Sequence, residues 1–338
     1  MGAQLGFLIV VLAGIATGVY FVGLKYVEPW QWENIWLVYA VLALVVMPVV
    51  LAVITAPHLA EILTSAPPSA VWHVFFYGLG WGIGSVLSGL GVARMGMALG
   101  VSVLIGIDAA VGTFVPMLIN TPEAVFEKKG LIVILAVVIL LLGVIVAGVA
   151  GKKRERDQAR SERPAQQGGF ASGLAICIFS GIFSAMMNFA FAFSQPISAA
   201  AVSKGATASA ALNVVWLITL LGGFVPNLLY TGYLLSHRRT WSNFVLPRAS
   251  KGWWVGLGMA AVWFIGLLFY GWGAAAMGNL GAVIGWPLFM AVLIIASTVT
   301  GFATGEWKGS TARAQQWMGA GMATLILAAV LLGVANRF

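Results

Sequence analysis

Ten long apolar runs, separated by short polar turns, fill this chain. They cover about residues 5–24, 34–54, 70–92, 97–118, 131–149, 172–193, 209–232, 253–273, 280–302 and 315–334. A membrane-spanning helix needs roughly 20 apolar residues, and each run comes close to that length. Inside a bilayer the backbone has no water to bond, so only helices or a closed barrel cross it. The runs are continuous and lack the polar alternation of a barrel strand, so they predict helices. Composition agrees, with 61% hydrophobic and 8% charged residues, where a soluble domain carries about 25% charged. The expected fold class is an all-α polytopic membrane protein with ten transmembrane helices.

Charge sets the expected orientation. One set of alternate loops holds 14 of the 18 Lys and Arg residues: Lys25, Arg94, six from Lys152 to Arg163, four from Arg238 to Lys251, Lys308 and Arg313. The other side holds Lys128, Lys129, Lys204 and Arg337. The positive-inside rule then places the 150–171 loop in the cytoplasm and both termini in the periplasm of a bacterial inner membrane. Orientation also accounts for the net charge of +8 without a nucleic-acid partner. Nothing basic precedes the first run, so it reads as a retained helix and not as a cleaved signal.

The loop KKRERDQARSERPAQQGG is densely charged and then Pro- and Gly-containing, the composition of a solvated linker. It divides the chain into 1–150, a cytoplasmic linker at 151–171, and 172–338. Each flanking half holds five helices. An odd number makes the second half start on the opposite face, so two inverted five-helix repeats are expected. Sliding residues 72–96 by 182 positions onto 254–278 gives nine identities in 25, among them Trp72 with Trp254, Trp81 with Trp263, Gly84 with Gly266 and Gly96 with Gly278. Composition alone gives about two or three. A shorter match sets Gly14-Ile15-Ala16-Thr17 against Gly181-Ile182-Phe183-Ser184. Inverted repeats are characteristic of secondary transporters, whose sites lie near the midplane.

Few residues in these runs can do chemistry. Asp108 is about eleven residues into the fourth run, roughly 16 Å along a helix, and is the only acidic residue deep in a span. Intramembrane carboxylates mark ion or proton pathways, substrate contacts or buried partners. A carboxyl group that gains and loses a proton is what proton coupling needs, so Asp108 is the candidate coupling residue. On the sixth run Ser180, Ser184 and Asn188 recur every four residues, one polar stripe on an apolar helix. Such a stripe lines an aqueous cavity or bonds neighbouring helices; the cavity is the favoured expectation because Asn188 both donates and accepts. Thr17 and Phe21 occupy the matching places on the first run, with Tyr20 and Lys25 also on it. Among fourteen tryptophans, Trp30, Trp32, Trp36, Trp241 and Trp253 fall near helix ends and read as interface anchors. Trp81 and Trp263 are repeat mates inside spans, and aromatic faces suit the C–H faces of a sugar. The candidate sugar-binding set is therefore Thr17, Tyr20, Trp81, Ser184, Asn188 and Trp263.

Other classes find no support. No phosphate-binding glycine loop points to nucleotide-driven transport. The three histidines are scattered and Cys177 is alone in an apolar run, so no metal or cofactor is expected. No catalytic constellation accompanies Asp108, so an enzyme is not expected.

The chain resembles the L-rhamnose–proton symporter family of the drug/metabolite transporter superfamily. The resemblance rests on LKYVEPWQWENIW, YGLGWGIGSVLSGLGVARMGMALGVSVLIGI, VGTFVPMLIN, SGIFSAMMNFAFAFSQPI, LLFYGWGAAAMG and GEWKG, spread along the whole length. It implies ten helices in two repeats, periplasmic termini, and proton-coupled uptake of L-rhamnose or a related monosaccharide. It also implies a carboxylate early in helix 9 and a hydroxyl residue at the place of Asp108. Here the helix 9 stretch reads Asn279-Leu280-Gly281-Ala282-Val283-Ile284, so either the carboxylate has moved to another wall of the same cavity or the coupling differs. The alternatives are an exporter or facilitator of another small metabolite, or a membrane sensor without transport.

Overall fold

The computed structural model describes residues 2–159, 170–247 and 249–337. Among these residues nearly all are helical and none forms a strand. Ten helices are long and apolar enough to cross a membrane: α1 (Ala3–Tyr26), α2 (Trp32–Thr55), α3 (Pro68–Met95), α4 (Met97–Asn120), α5 (Lys128–Gln158), α6 (Ala171–Ser203), α7 (Ala208–His237), α8 (Ala249–Ala276), α9 (Gly278–Ala303) and α10 (Ala312–Ala335). Large apolar side chains such as Leu8, Ile54, Leu229 and Trp254 are exposed on them. An apolar surface this extensive is one that lipid covers.

Local chemistry sets the helix limits. Gln31 and Asn34 form a capping box at the start of α2. A π-helical stretch, Leu42–Val46, precedes Pro48 in α2, where proline removes a backbone donor. Between α3 and α4 the turn is Gly96 with φ +85°, and at the start of α9 Gly278 has φ +79°. Side chains rarely adopt that conformation, so glycine is the fitting residue at both turns. These two glycines are matched by the 182-residue shift. The helix α6 is interrupted at Ala185 and again before Gln195.

One helix runs past its expected end. The apolar pattern closes the fifth span near residue 149, yet α5 continues through Gln158. Its charged extension has helical partners. Glu155 accepts a hydrogen bond from the Ala98 amide at 2.9 Å, in the first turn of α4. Asp157 accepts from the amide and hydroxyl of Thr311, the N-cap of α10, at 2.9 and 2.8 Å. Carboxylates belong at helix N-termini, where amides lack partners. Residues 160–169, the rest of the expected linker, lie outside the described residues.

The described chain falls into two compact units. Unit 1 comprises Met1–Gly18, Gly84–Ala185 and Gly273–Phe338. Within it α4 packs on α5, on the first part of α6 and on α9, while α5 packs along α10. The first part of α1 lies close to α9 through small residues. A Cβ at Gly18 would sit 2.7 Å from both the Ala296 Cβ and the Leu293 carbonyl. Membrane helices associate through such close van der Waals packing, since lipid gives apolar side chains no reason to cluster.

Unit 2 comprises Val19–Ile83 and Met186–Trp272. Its centre is α7, packed on α2 and on the last part of α6. Near one end the fully buried Glu33 accepts from Arg238 Nη1 at 3.0 Å and from the Thr240 hydroxyl at 2.9 Å. The Asn34 amide donates to the Thr240 carbonyl at 2.8 Å. A carboxylate so enclosed persists because it is paired and hydrogen-bonded.

Candidate functional site

Unit 2 holds the aromatic candidates. Trp81 and Trp263, the repeat mates, stack on each other with ring centroids 5.6 Å apart and planes 24° from parallel. The Trp81 ring also lies against Gly223 of α7, where a Cβ would meet it at 2.6 Å. Tyr39 meets the edge of Trp263 at 5.8 Å, and Tyr20 stacks on Tyr39 at 5.6 Å. The series continues through Trp36, 5.1 Å from Tyr39, to Trp32, 4.9 Å from Trp36.

A second group in unit 2 surrounds Asn188. Its Oδ1 accepts a hydrogen bond from the Tyr270 hydroxyl. Tyr270 lies 5.6 Å from Phe191 and 6.5 Å from Trp216, and Phe191 and Trp216 are stacked with planes 12° from parallel. Trp216 is wholly buried, and among the described residues its indole Nε1 has no acceptor. Donors and acceptors placed among aromatic faces are the chemistry that a sugar ring meets in a binding site, its hydroxyls on the polar groups and its C–H faces on the rings.

Unit 1 holds the carboxyl candidate. Asp108 is 5% exposed, and its Oδ1 accepts from Trp286 Nε1 of α9 at 3.1 Å. Unit 1 also contains Thr17, whose buried hydroxyl lacks a hydrogen-bond partner among the described residues, and the buried Ser184.

Three features differ from the sequence reading. The stripe on α6 is not continuous, because the interruption at Ala185 leaves Ser180 and Ser184 in unit 1 and Asn188 in unit 2. The Ser180 hydroxyl donates to the Gly84 carbonyl at 2.8 Å, tying α6 to α3, so at this position the neighbouring helix takes the polar group. Among the tryptophans read as interface anchors, Trp30 and Trp36 are buried. The indole N–H of Trp30 donates to the Asn243 carbonyl at 3.0 Å, and that of Trp36 to Asn227 Oδ1 at 2.9 Å. Trp241 and Trp253 are exposed, as an interface position requires. Tyr39 and Tyr270, which contact the candidates Trp263 and Asn188, go unnamed in the sequence reading, although an intraspan tyrosine, with a hydroxyl to satisfy, is a usable signal.

A family model described as L-rhamnose-proton symport protein matches residues 2–337. Relatives named L-rhamnose-proton symporter from Escherichia coli, Shigella boydii and Klebsiella pneumoniae are each 26% identical over 331 residues. Each match covers 96% of this chain and 95% of the relative.

Proposed function

The chain belongs to the L-rhamnose-proton symport protein family, and from that membership we propose that it takes up L-rhamnose or a related monosaccharide together with a proton across the inner membrane. Ten apolar spans and the relatives' name support this reading. The observation that carries the proton half is Asp108, a nearly enclosed carboxyl in mid-span α4 whose hydrogen-bond partner is an indole and not a cation. An acid held without a counter-charge is suited to cycle between its neutral and charged forms.

The sugar half is assigned to Tyr20, Trp81, Asn188 and Trp263, which lie with their aromatic neighbours in unit 2. Thr17 and Ser184 remain polar candidates in unit 1. The two halves of the chain are inverted repeats in this proposal, on the strength of the 182-residue match and its shared positive-φ glycines. Both termini are periplasmic, on the strength of the loop charges. Transport proceeds by alternating access: sugar and proton together favour the occluded form over the open one, and that differential drives the switch.

Proteoliposomes under an imposed proton gradient test the proposal. L-Rhamnose or a related sugar should accumulate above its equilibrium level, and sugar addition without a gradient should alkalinise the outside medium. Binding without flux would instead favour a sensor, and flux without proton movement a facilitator. A reporter fused after Phe338 should prove periplasmic.

A further inference from the structure

Asp108 and Trp286 have a geometry that says more than proximity. The indole nitrogen of Trp286 lies 3.1 Å from Asp108 Oδ1 and 3.3 Å from the Asp108 backbone carbonyl, so one N–H is shared between two oxygens of the same residue. One turn further along α4, Gly112 makes the seat. A Cβ there would come within 2.3 Å of the indole Nε1 and 2.4 Å of Cδ1, so any other residue would push the ring away. Within their apolar spans the helices packed on α4 bring no rival charge, the charges of α5 lying at its two ends. The stretches 131–149 of α5, 171–185 of α6 and 278–303 of α9 contain no Asp, Glu, Lys, Arg or His.

An indole N–H donates and never accepts. It bonds a carboxylate oxygen or the carbonyl oxygen of a neutral acid, and it cannot receive the acid's own proton. The carbonyl oxygen of a carboxylic acid is the better acceptor of its two, so the neutral form keeps Oδ1 on the indole and carries hydrogen on Oδ2. We propose that Trp286 is a positioning residue for the proton-carrying carboxyl, fixing Oδ1 and leaving Oδ2 as the atom that takes and releases the proton. Loading forms an Oδ2–H bond with a proton delivered by water, and unloading breaks it and returns the proton to water. The carboxyl keeps one orientation through both steps, so loading requires no rotation of the side chain. This inference rests on the proposed role of Asp108.

Infrared difference spectroscopy of the reconstituted full-length chain tests it, with Asp108→Asn, Trp286→Phe and Gly112→Ala beside the wild type. The carboxylic C=O band that vanishes in Asp108→Asn belongs to Asp108. Trp286→Phe keeps a ring and removes the donor, so that band should move to higher frequency, and proton-driven uptake should fall about tenfold, the worth of one such hydrogen bond. Gly112→Ala displaces the indole and should move the band the same way, which keeps the test open if Trp286→Phe fails to fold. A band that stays in place in both variants overturns the positioning role alone. Undiminished accumulation in Asp108→Asn overturns the proton-carrier reading beneath it.

Discussion

Unit 2 surrounds its polar groups with rings, whereas unit 1 holds one mid-span carboxyl, Asp108, against a single indole. In unit 2 the Asn188 amide meets Tyr270, Phe191 and Trp216 form a stack, and Trp81 lies on Trp263. In unit 1 Asp108 meets a single indole, while glycines let helices such as α1 and α9 approach closely. In the proposed function the contrast corresponds to the two cargoes. A sugar offers broad C–H faces and several hydroxyls, so its site needs area and many weak contacts. A proton needs one titratable oxygen and a route for water to reach it. The units differ in the same sense at their charged ends. Unit 2 pairs a buried carboxylate, Glu33, with the half-exposed Arg238, whereas unit 1 uses more exposed carboxylates on α5 to cap other helices.

The sharpest way to break this division is Asp108→Asn. Active accumulation should be lost entirely while sugar binding, measured by calorimetry on the purified chain, persists. Loss of binding as well would place the carboxyl on the sugar and erase the contrast. Next in size is Trp263→Ala, which removes half of the stacked pair and should cost about 3–5 kcal/mol of stability by thermal unfolding. The milder Trp263→Phe should fold and weaken sugar binding roughly fivefold, because a smaller ring offers less stacking. An unchanged Kd in Trp263→Phe would remove this residue from the sugar set.

Arg238→Ala leaves the buried Glu33 carboxylate with Thr240 as its remaining side-chain donor. Arg238 is itself half exposed, so a loss of about 2 kcal/mol is expected, below the range for a fully enclosed pair. Glu33→Gln in the same chain should recover much of that loss, since no charge is then left buried. The smallest effect is Asp157→Ala on α5, which removes the acceptor of the Thr311 N-cap of α10 and should cost about 1 kcal/mol, the usual worth of a helix cap. A larger loss there would show that the α5 extension supports unit 1 more than capping alone explains.

Much of this was legible in the sequence. Ten runs became ten helices, and Gly96, named in the sequence by the repeat match, forms the α3–α4 turn. Trp81 and Trp263, paired by the repeat match alone, are in contact. Asp108 was singled out by being the one carboxylate deep in a span. What escaped was partnership. Ser180 looked like the cavity residue next to Asn188, yet it bonds the Gly84 carbonyl. Trp30 looked like a lipid-interface anchor, yet its indole is buried on the Asn243 carbonyl. Trp286 was one tryptophan among fourteen, and no pattern along the chain joins it to a residue 178 positions away.

The sequence by itself determined how many times the chain crosses a bilayer and which of its residues are chemically out of place there. Hydropathy and stray charge are properties of a stretch, and a bilayer reads them stretch by stretch. Tertiary structure decided which of those residues meet. The two units divide α1, α3, α6 and α8 within their lengths, so neighbours on one helix, such as Ser184 and Asn188, belong to different packing groups. That outcome depends on how each helix is rotated and how closely small residues let it approach another, and neither is written in the apolar pattern of a single span.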